Sequence, residues 1–236
     1  MDALVGTSGY AYDFWKGGFY PEDMKSDGML EYYAERLPTV EINNTFYRIP
    51  KRDVVQRWAD VTPDSFRFVI KASRRITHLG RLGDVKDSLD YLLAQLVPLG
   101  EKCGPVLFQC PPAMRKDVAK LDRFLGWVPE HVRPAMEFRH ASWADEAVYD
   151  VLRAHDAAWV ITDDDSEDPP IVATAPWGFL RLRAGEYDEA ARQRWAQHIT
   201  TAWKRAFVFF KHENRATELA FELRDTIAAL PTETPA

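Results

Sequence analysis

Short apolar runs alternate along the chain with longer stretches whose apolar residues recur at helical spacing. That alternation predicts a parallel sheet joined by crossover helices. Eight runs read as strands: Ala3 to Thr7, Thr39 to Asn43, Arg67 to Lys71, Pro105 to Gln109, Ala135 to Arg139, Trp159 to Asp163, Gly178 to Arg183 and Ala206 to Lys211. Amphipathic stretches fall near 28–37, 51–61, 85–100, 117–127, 144–155, 189–204 and 215–230. Eight βα units without a linker predict an α/β fold, a single-domain TIM-like (β/α)8 barrel, over residues 1–230. An open dinucleotide-binding sheet would carry a G-x-G-x-x-G first turn, and Gly6-Thr7-Ser8-Gly9 lacks that spacing. The proline-bounded segment 231–236 is expected to be a short flexible tail.

Composition agrees with one barrel: 236 residues at 46% hydrophobic content match the usual size of an eight-unit α/β fold. Thirty Lys plus Arg against thirty-six Asp plus Glu give a formal charge of −6. Such a balance disfavours a uniformly basic nucleic-acid-coating surface but leaves room for a local basic cleft. The cysteines, Cys103 and Cys110, form neither a C-x-x-C pair nor a secreted disulfide framework. No apolar window reaches the length of a membrane span, and the first residues lack a basic, then apolar, leader pattern. Cytoplasmic residence without a membrane partner is the expectation; nothing in the sequence speaks to oligomeric state.

Strand ends carry the chemistry. Side chains two apart on a barrel strand point to the same side, and several strands end in polar pairs at that spacing. Glu41 with Asn43, Glu137 with Arg139, Arg181 with Arg183 and Lys211 with Glu213 are such pairs, while Lys71 and Gln109 close two further strands. A charge embedded in apolar sequence must be paired or face a cleft, because burying it alone costs several kcal/mol. The two readings are an internal ion-pair network and a functional cleft. The C-terminal face, where barrel enzymes keep their sites, favours the cleft.

Basic residues crowd these ends: Arg48, Lys71, Arg74, Arg75, Arg139, Arg181, Arg183, Lys211 and Arg215 lie in or just after strands. A planar guanidinium fork suits phosphate or carboxylate, so a small anionic or phosphorylated partner is expected. The first loop concentrates aromatic rings between Tyr10 and Tyr20. Phe14, Trp15 and Phe19 are expected to form a satellite core, and Tyr10 and Tyr12, nearest the strand end, to meet ligand. His140 follows the fifth strand and joins the binding candidates. No cofactor is assigned. A divalent metal held by His78, His140 or His212 with Glu41, Glu137, Asp163 or Glu213 stays open, although no H-E-x-x-H motif is present.

Motifs spread over nearly the whole chain sharpen this reading. They are Gly6-Thr-Ser-Gly-Tyr with Trp15-Lys-Gly-Gly-Phe-Tyr-Pro21, then Val40-Glu-Ile-Asn-Asn-Thr-Phe-Tyr-Arg48 and Phe66-Arg-Phe-Val-Ile-Lys-Ala72 with Ile76-Thr-His78. Gly104-Pro-Val-Leu-Phe-Gln109 with Pro111-Pro112, Glu137-Phe-Arg-His-Ala-Ser-Trp143 and Phe210-Lys-His-Glu213 complete the set. In this order they resemble the domain of unknown function 72 family, also called YecE-like. The resemblance implies a TIM barrel in cytoplasmic bacterial or archaeal proteins and carries no reaction with it. Where members often have an Arg-x-His-Gly segment after the seventh strand, this chain has Arg181-Leu-Arg183-Ala-Gly185, so a histidine role there does not transfer.

The functional expectation is an enzyme with Glu41, Lys71 and Glu137 as the catalytic groups. Tyr10, Tyr12, Asn43, Arg48, Gln109, Arg139, His140, Arg181, Arg183 and Lys211 are assigned to substrate. Phosphoester hydrolysis, extending to nucleic acid, is the first reaction considered, because carboxylates among cations can position water and stabilise developing charge. A sugar-phosphate isomerase or lyase using Lys71, and a noncatalytic sensor of an anionic metabolite, are the alternatives. Two carboxylates among four cations, Lys71, Arg139, Arg181 and Lys211, predict a positive excess at the mouth.

Overall fold

The computed structural model describes residues 1–164 and 169–230. The tail assigned to 231–236 and Asp165 of the Asp163–Asp165 acidic run lie outside the described residues. Eight parallel strands close into a barrel in the order in which they occur in the chain. They are β1 (Asp2–Ser8), β2 (Thr39–Ile42), β3 (Arg67–Lys71), β4 (Cys103–Gln109), β5 (Pro134–Glu137), β6 (Ala158–Thr162), β7 (Trp177–Leu182) and β8 (Arg205–Phe210). The (β/α)8 expectation therefore holds.

Among the described residues seven α-helices pack outside: α1 (Met29–Ala34), α2 (Arg52–Asp60), α3 (Lys86–Leu96), α4 (Val118–Leu125), α5 (Glu146–Ala154), α6 (Glu189–Ala202) and α7 (Ala216–Ala229). Two helices are shorter than their patterns. The stretch at 28–37 contracts to one six-residue helix, and the stretch at 85–100 ends at Leu96, where Pro98 and the positive φ of Gly100 (50°) tighten the chain into a 3-10 segment. Asp117, Asp145 and Asp188 each accept a backbone N–H at the start of α4, α5 and α6, which fixes where those helices begin.

Two apolar layers result. The larger lies between strands and helices; the smaller fills the barrel with Leu4, Val69, Leu107, Ala135, Val160, Phe179, Phe207 and Phe209 among its members. Phe and Trp residues of β7 and β8 pack in one cluster with small or β-branched residues of β5 and β6, so the interior is filled by side chains. Close strand approach explains Gly6, where a Cβ would stand 2.0 Å from the Thr39 carbonyl oxygen. Tyr33 of α1 clamps the same pair: its hydroxyl accepts from the Thr7 N–H at 3.0 Å and donates to the Thr39 carbonyl at 3.0 Å.

The aromatic first loop divides. Trp15 and Tyr20 are buried, and the Trp15 indole N–H donates to the Glu213 carbonyl at 2.8 Å, tying the first βα loop to the eighth. Phe19 packs beside them. Phe14, assigned to this satellite core from sequence, is instead 54% exposed, stacked on Tyr12 at 5.1 Å.

Candidate functional site

Barrel parity carries the polar groups into one layer. Positions two residues beyond the interior apolar side chains are Lys71 after Val69, Gln109 after Leu107, Glu137 after Ala135, Thr162 after Val160 and Arg181 after Phe179, and Glu41 stands likewise two beyond the buried Thr39. A hydrophobic floor thus carries a charged layer at the C-terminal ends of the strands.

Arg181 sits at its centre, 1% exposed. Its two terminal nitrogens donate to different glutamates, to Glu137 Oε2 at 2.6 Å and to Glu41 Oε1 at 2.7 Å. Glu41 Oε1 also accepts from Ser8 Oγ and Asn43 Nδ2, both at 2.9 Å. Gln109 Nε2 and Arg139 Nε each donate to Glu137 Oε1 at 2.7 Å. Arg139 continues to Asp164 Oδ2 at 2.8 Å, which Arg183 contacts from the other side at 2.7 Å. A single chain of charge links β2, β5, β7 and the end of β6.

Burial opposes ionisation of both glutamates, yet the Arg181 guanidinium and its companions outweigh it. The Glu41 carboxyl is held below its ordinary range, and Glu137 falls to about 2. Both are ionised near neutrality. Neighbouring Asp163 takes a different path: its Oδ2 accepts from the Tyr187 hydroxyl at 2.5 Å and its Oδ1 from the Arg183 N–H at 2.6 Å, fixing the loop after β7, while burial raises its carboxyl.

Lys71 differs from every other cation of the layer. Among the described residues its ammonium has no carboxylate within ion-pair distance; it lies 4.5 Å over the Phe46 ring. Burial, then the positive charge of Arg181, lowers its pKa to about 8. His78 meets Phe46 edge-on at 4.8 Å and is itself lowered by burial and by Lys71 and Arg74. A π-helical turn at Arg75–Leu79 begins in the loop after β3, a local departure that often accompanies functional loops.

The site residues read from sequence thus separate into groups. Glu41, Lys71, Asn43, Gln109, Glu137, Arg139, Arg181 and Arg183 share the layer. Lys211 does not join it. It is exposed one residue past β8 and pairs with no acid of the layer. Arg48 is likewise exposed in the loop after β2, since the short 3-10 turn at Asn44–Phe46 carries the chain away from the layer. His140 accepts the Ser142 N–H at 3.1 Å and caps a turn. Arg181, assigned to substrate, has its terminal donors occupied by glutamates. Tyr12 donates to the Ser8 carbonyl at 2.7 Å and bounds the mouth near Glu41, whereas Tyr10 packs against Tyr33.

Charge in the layer also departs from expectation. Among the described residues, four cations of the layer, Lys71, Arg139, Arg181 and Arg183, meet three carboxylates, Glu41, Glu137 and Asp164, so the excess there is carried by Lys71. Asp164 and Ser8, absent from the sequence-derived site, were legible by continuing the two-residue parity one step beyond β6 and to the last residue of β1. The alternative metal set does not converge: among the described residues no group of three His, Cys, Asp or Glu side chains is placed to hold an ion.

A protein-family model described as "Protein of unknown function DUF72" matches residues 4–236. The chain belongs to the DUF72 family. Curated relatives include the UPF0759 protein YecE of Escherichia coli, 34% identical over 112 residues, which are 47% of this chain and 41% of that protein. Another is the UPF0759 protein YunF of Bacillus subtilis, 29% identical over 144 residues, 56% of this chain and 49% of that one. The alignments therefore span less than half of each relative's length. Among solved structures, a DUF72 family protein from Thermotoga maritima superposes with a TM-score of 0.84 at 25% identity, covering 97% of this chain and all (100%) of that one. A DUF72 protein from Enterococcus faecalis gives 0.79 at 20% identity over 99% and 98% of the two chains, a likeness of fold. Among the described residues of this DUF72 chain no helix is long and apolar enough to cross a membrane.

Proposed function

We propose that this DUF72 barrel is an enzyme acting on a small phosphate-bearing substrate at the C-terminal face, with Lys71 as the group that meets the anion. The observation that carries the reading is the half-buried Lys71 ammonium, without an ion pair among the described residues, beside three arginines already neutralised by carboxylates. Glu41, Glu137 and Arg181 act as a fixed polar floor that holds the layer in place and excludes competing charge. With a pKa near 8, Lys71 is also the cluster member able to give up a proton near neutral pH. In phosphoester hydrolysis the bond from phosphorus to the leaving oxygen breaks, Lys71 protonates that oxygen, and water supplies the new oxygen and the returning proton.

Inorganic phosphate is expected to bind wild-type protein in titration calorimetry, and Lys71→Ala to weaken it at least about tenfold, the worth of one charge-assisted contact. Binding should decline as pH rises through about 8, where the ammonium becomes neutral. Lys71→Arg should retain binding and lose that inflection, because a guanidinium stays charged. Equal affinity in wild type and Lys71→Ala would remove the proposal.

The same lowered pKa favours a second reading, attack of neutral Lys71 on a substrate carbonyl to form an imine with loss of water. Borohydride with carbonyl-bearing sugar phosphates should then leave a mass adduct on Lys71. A panel without any adduct leaves hydrolysis as the reading that stands.

A further inference from the structure

The rim above Lys71 carries features that the charged layer does not use. The loops after β1, β2 and β3 are neighbours at the same end of the barrel. Each presents a large apolar side chain to solvent: Phe14 at 54%, Tyr47 at 75% and Leu79 at 66% exposure. Phe46, on which Lys71 rests, packs edge-on against Tyr47 at 5.0 Å, so the exposed ring adjoins the anion contact. Five exposed cations stand in the second and third of these loops: Arg48, Lys51, Arg74, Arg75 and Arg81. None of them has an ion pair among the described residues, and the only acid in the stretches 43–51 and 72–85 is Asp84. In a chain of net charge −6, this is a local inversion of sign interleaved with rings.

From that juxtaposition we infer that the rim formed by the second and third βα loops, with Phe14 beside it, binds single-stranded nucleic acid. Five cations exceed what one phosphate monoester needs and match a short run of backbone phosphates. Exposed rings beside such a track provide stacking faces for bases, and a duplex hides those faces while a single strand offers them. The inference is compatible with catalysis at Lys71 but does not need it: Asn43 of the second loop donates to Glu41, whereas Arg48, Lys51, Arg74, Arg75 and Arg81 form no ion pair with the Glu41–Arg181–Glu137 network among the described residues.

The test is fluorescence anisotropy of a labelled deoxythymidine oligomer of about twelve nucleotides, against a duplex of equal length and against inorganic polyphosphate. Wild type should prefer the single strand over both, with a log affinity against log salt slope of about −3.5 if all five cations engage phosphates, roughly −0.7 for each. Tyr47→Ala, at an exposed position, should weaken binding about tenfold through lost stacking. The double change Arg74→Ala with Arg75→Ala should lower the salt slope. Both variants should leave inorganic phosphate binding intact, which separates this surface from the Lys71 contact. Absence of oligomer binding at low salt, equal affinity for polyphosphate or duplex, or indifference to Tyr47→Ala would each overturn the inference.

Discussion

Arg181→Ala is expected to lower the unfolding free energy by about 3–5 kcal/mol near neutral pH, the cost of leaving buried charge without its partner. Arg181 is 1% exposed and reaches Glu41 and Glu137, both fully buried and ionised; its removal leaves Glu41 without a guanidinium partner and Glu137 with Arg139 alone. The deficit should shrink as pH falls, because the stranded glutamates take up protons more readily than in the wild type. Denaturant unfolding at several pH values measures both effects. A companion variant with Glu41→Leu, Arg181→Met and Glu137→Leu removes the charges together and should cost much less than the single change. A loss below about 1 kcal/mol for Arg181→Ala would mean that water reaches the site and that the layer is not a closed network.

Acid should destabilise the protein through Glu137. Burial would raise this carboxyl, but Arg181 and then Arg139 hold it at about 2, against an ordinary value of 4.5. A carboxyl depressed in the fold contributes stability that is complete above its unfolded pKa and is lost as pH falls through the folded one. The window is therefore about pH 4.5 down to about 2, with a contribution on the order of 3 kcal/mol. Glu41 shifts in the same direction and shares the Arg181 partner, so the two titrate as one unit. Glu137→Gln should be less stable than wild type at neutral pH, with the two stability curves converging towards pH 2. Parallel curves across that range would show that the ionised form of Glu137 adds nothing to the fold.

The barrel itself was legible in the chain. Alternating apolar runs and amphipathic stretches marked eight strands and seven helices, because a parallel strand covered on both sides must be apolar along its length and its crossover must bury one face. Period-two spacing also placed Glu41, Lys71, Gln109, Glu137 and Arg181 in one layer, since side-chain parity on a barrel strand follows from covalent geometry. Strand parity reaches no further than the strand. Lys211 and Arg48 carry the same kind of charge near the same face, yet one stands just past the end of β8 and the other beyond a turn, and both are solvent-exposed.

Pairing within the layer was decided by tertiary structure. Glu41 and Arg181 are separated by 140 residues and meet only because closure of the barrel through β1 and β8 brings the ends of β2 and β7 to a common interior. Sequence alone counted cations and carboxylates without their partners and so expected an open positive mouth lined by arginines. Folding spends those arginines on Glu41, Glu137 and Asp164 and leaves Lys71 without an ion pair among the described residues. The physical reason is distance: an ion pair depends on separations of a few ångströms between strands far apart in the chain, whereas strand parity and helical period are properties of each segment alone.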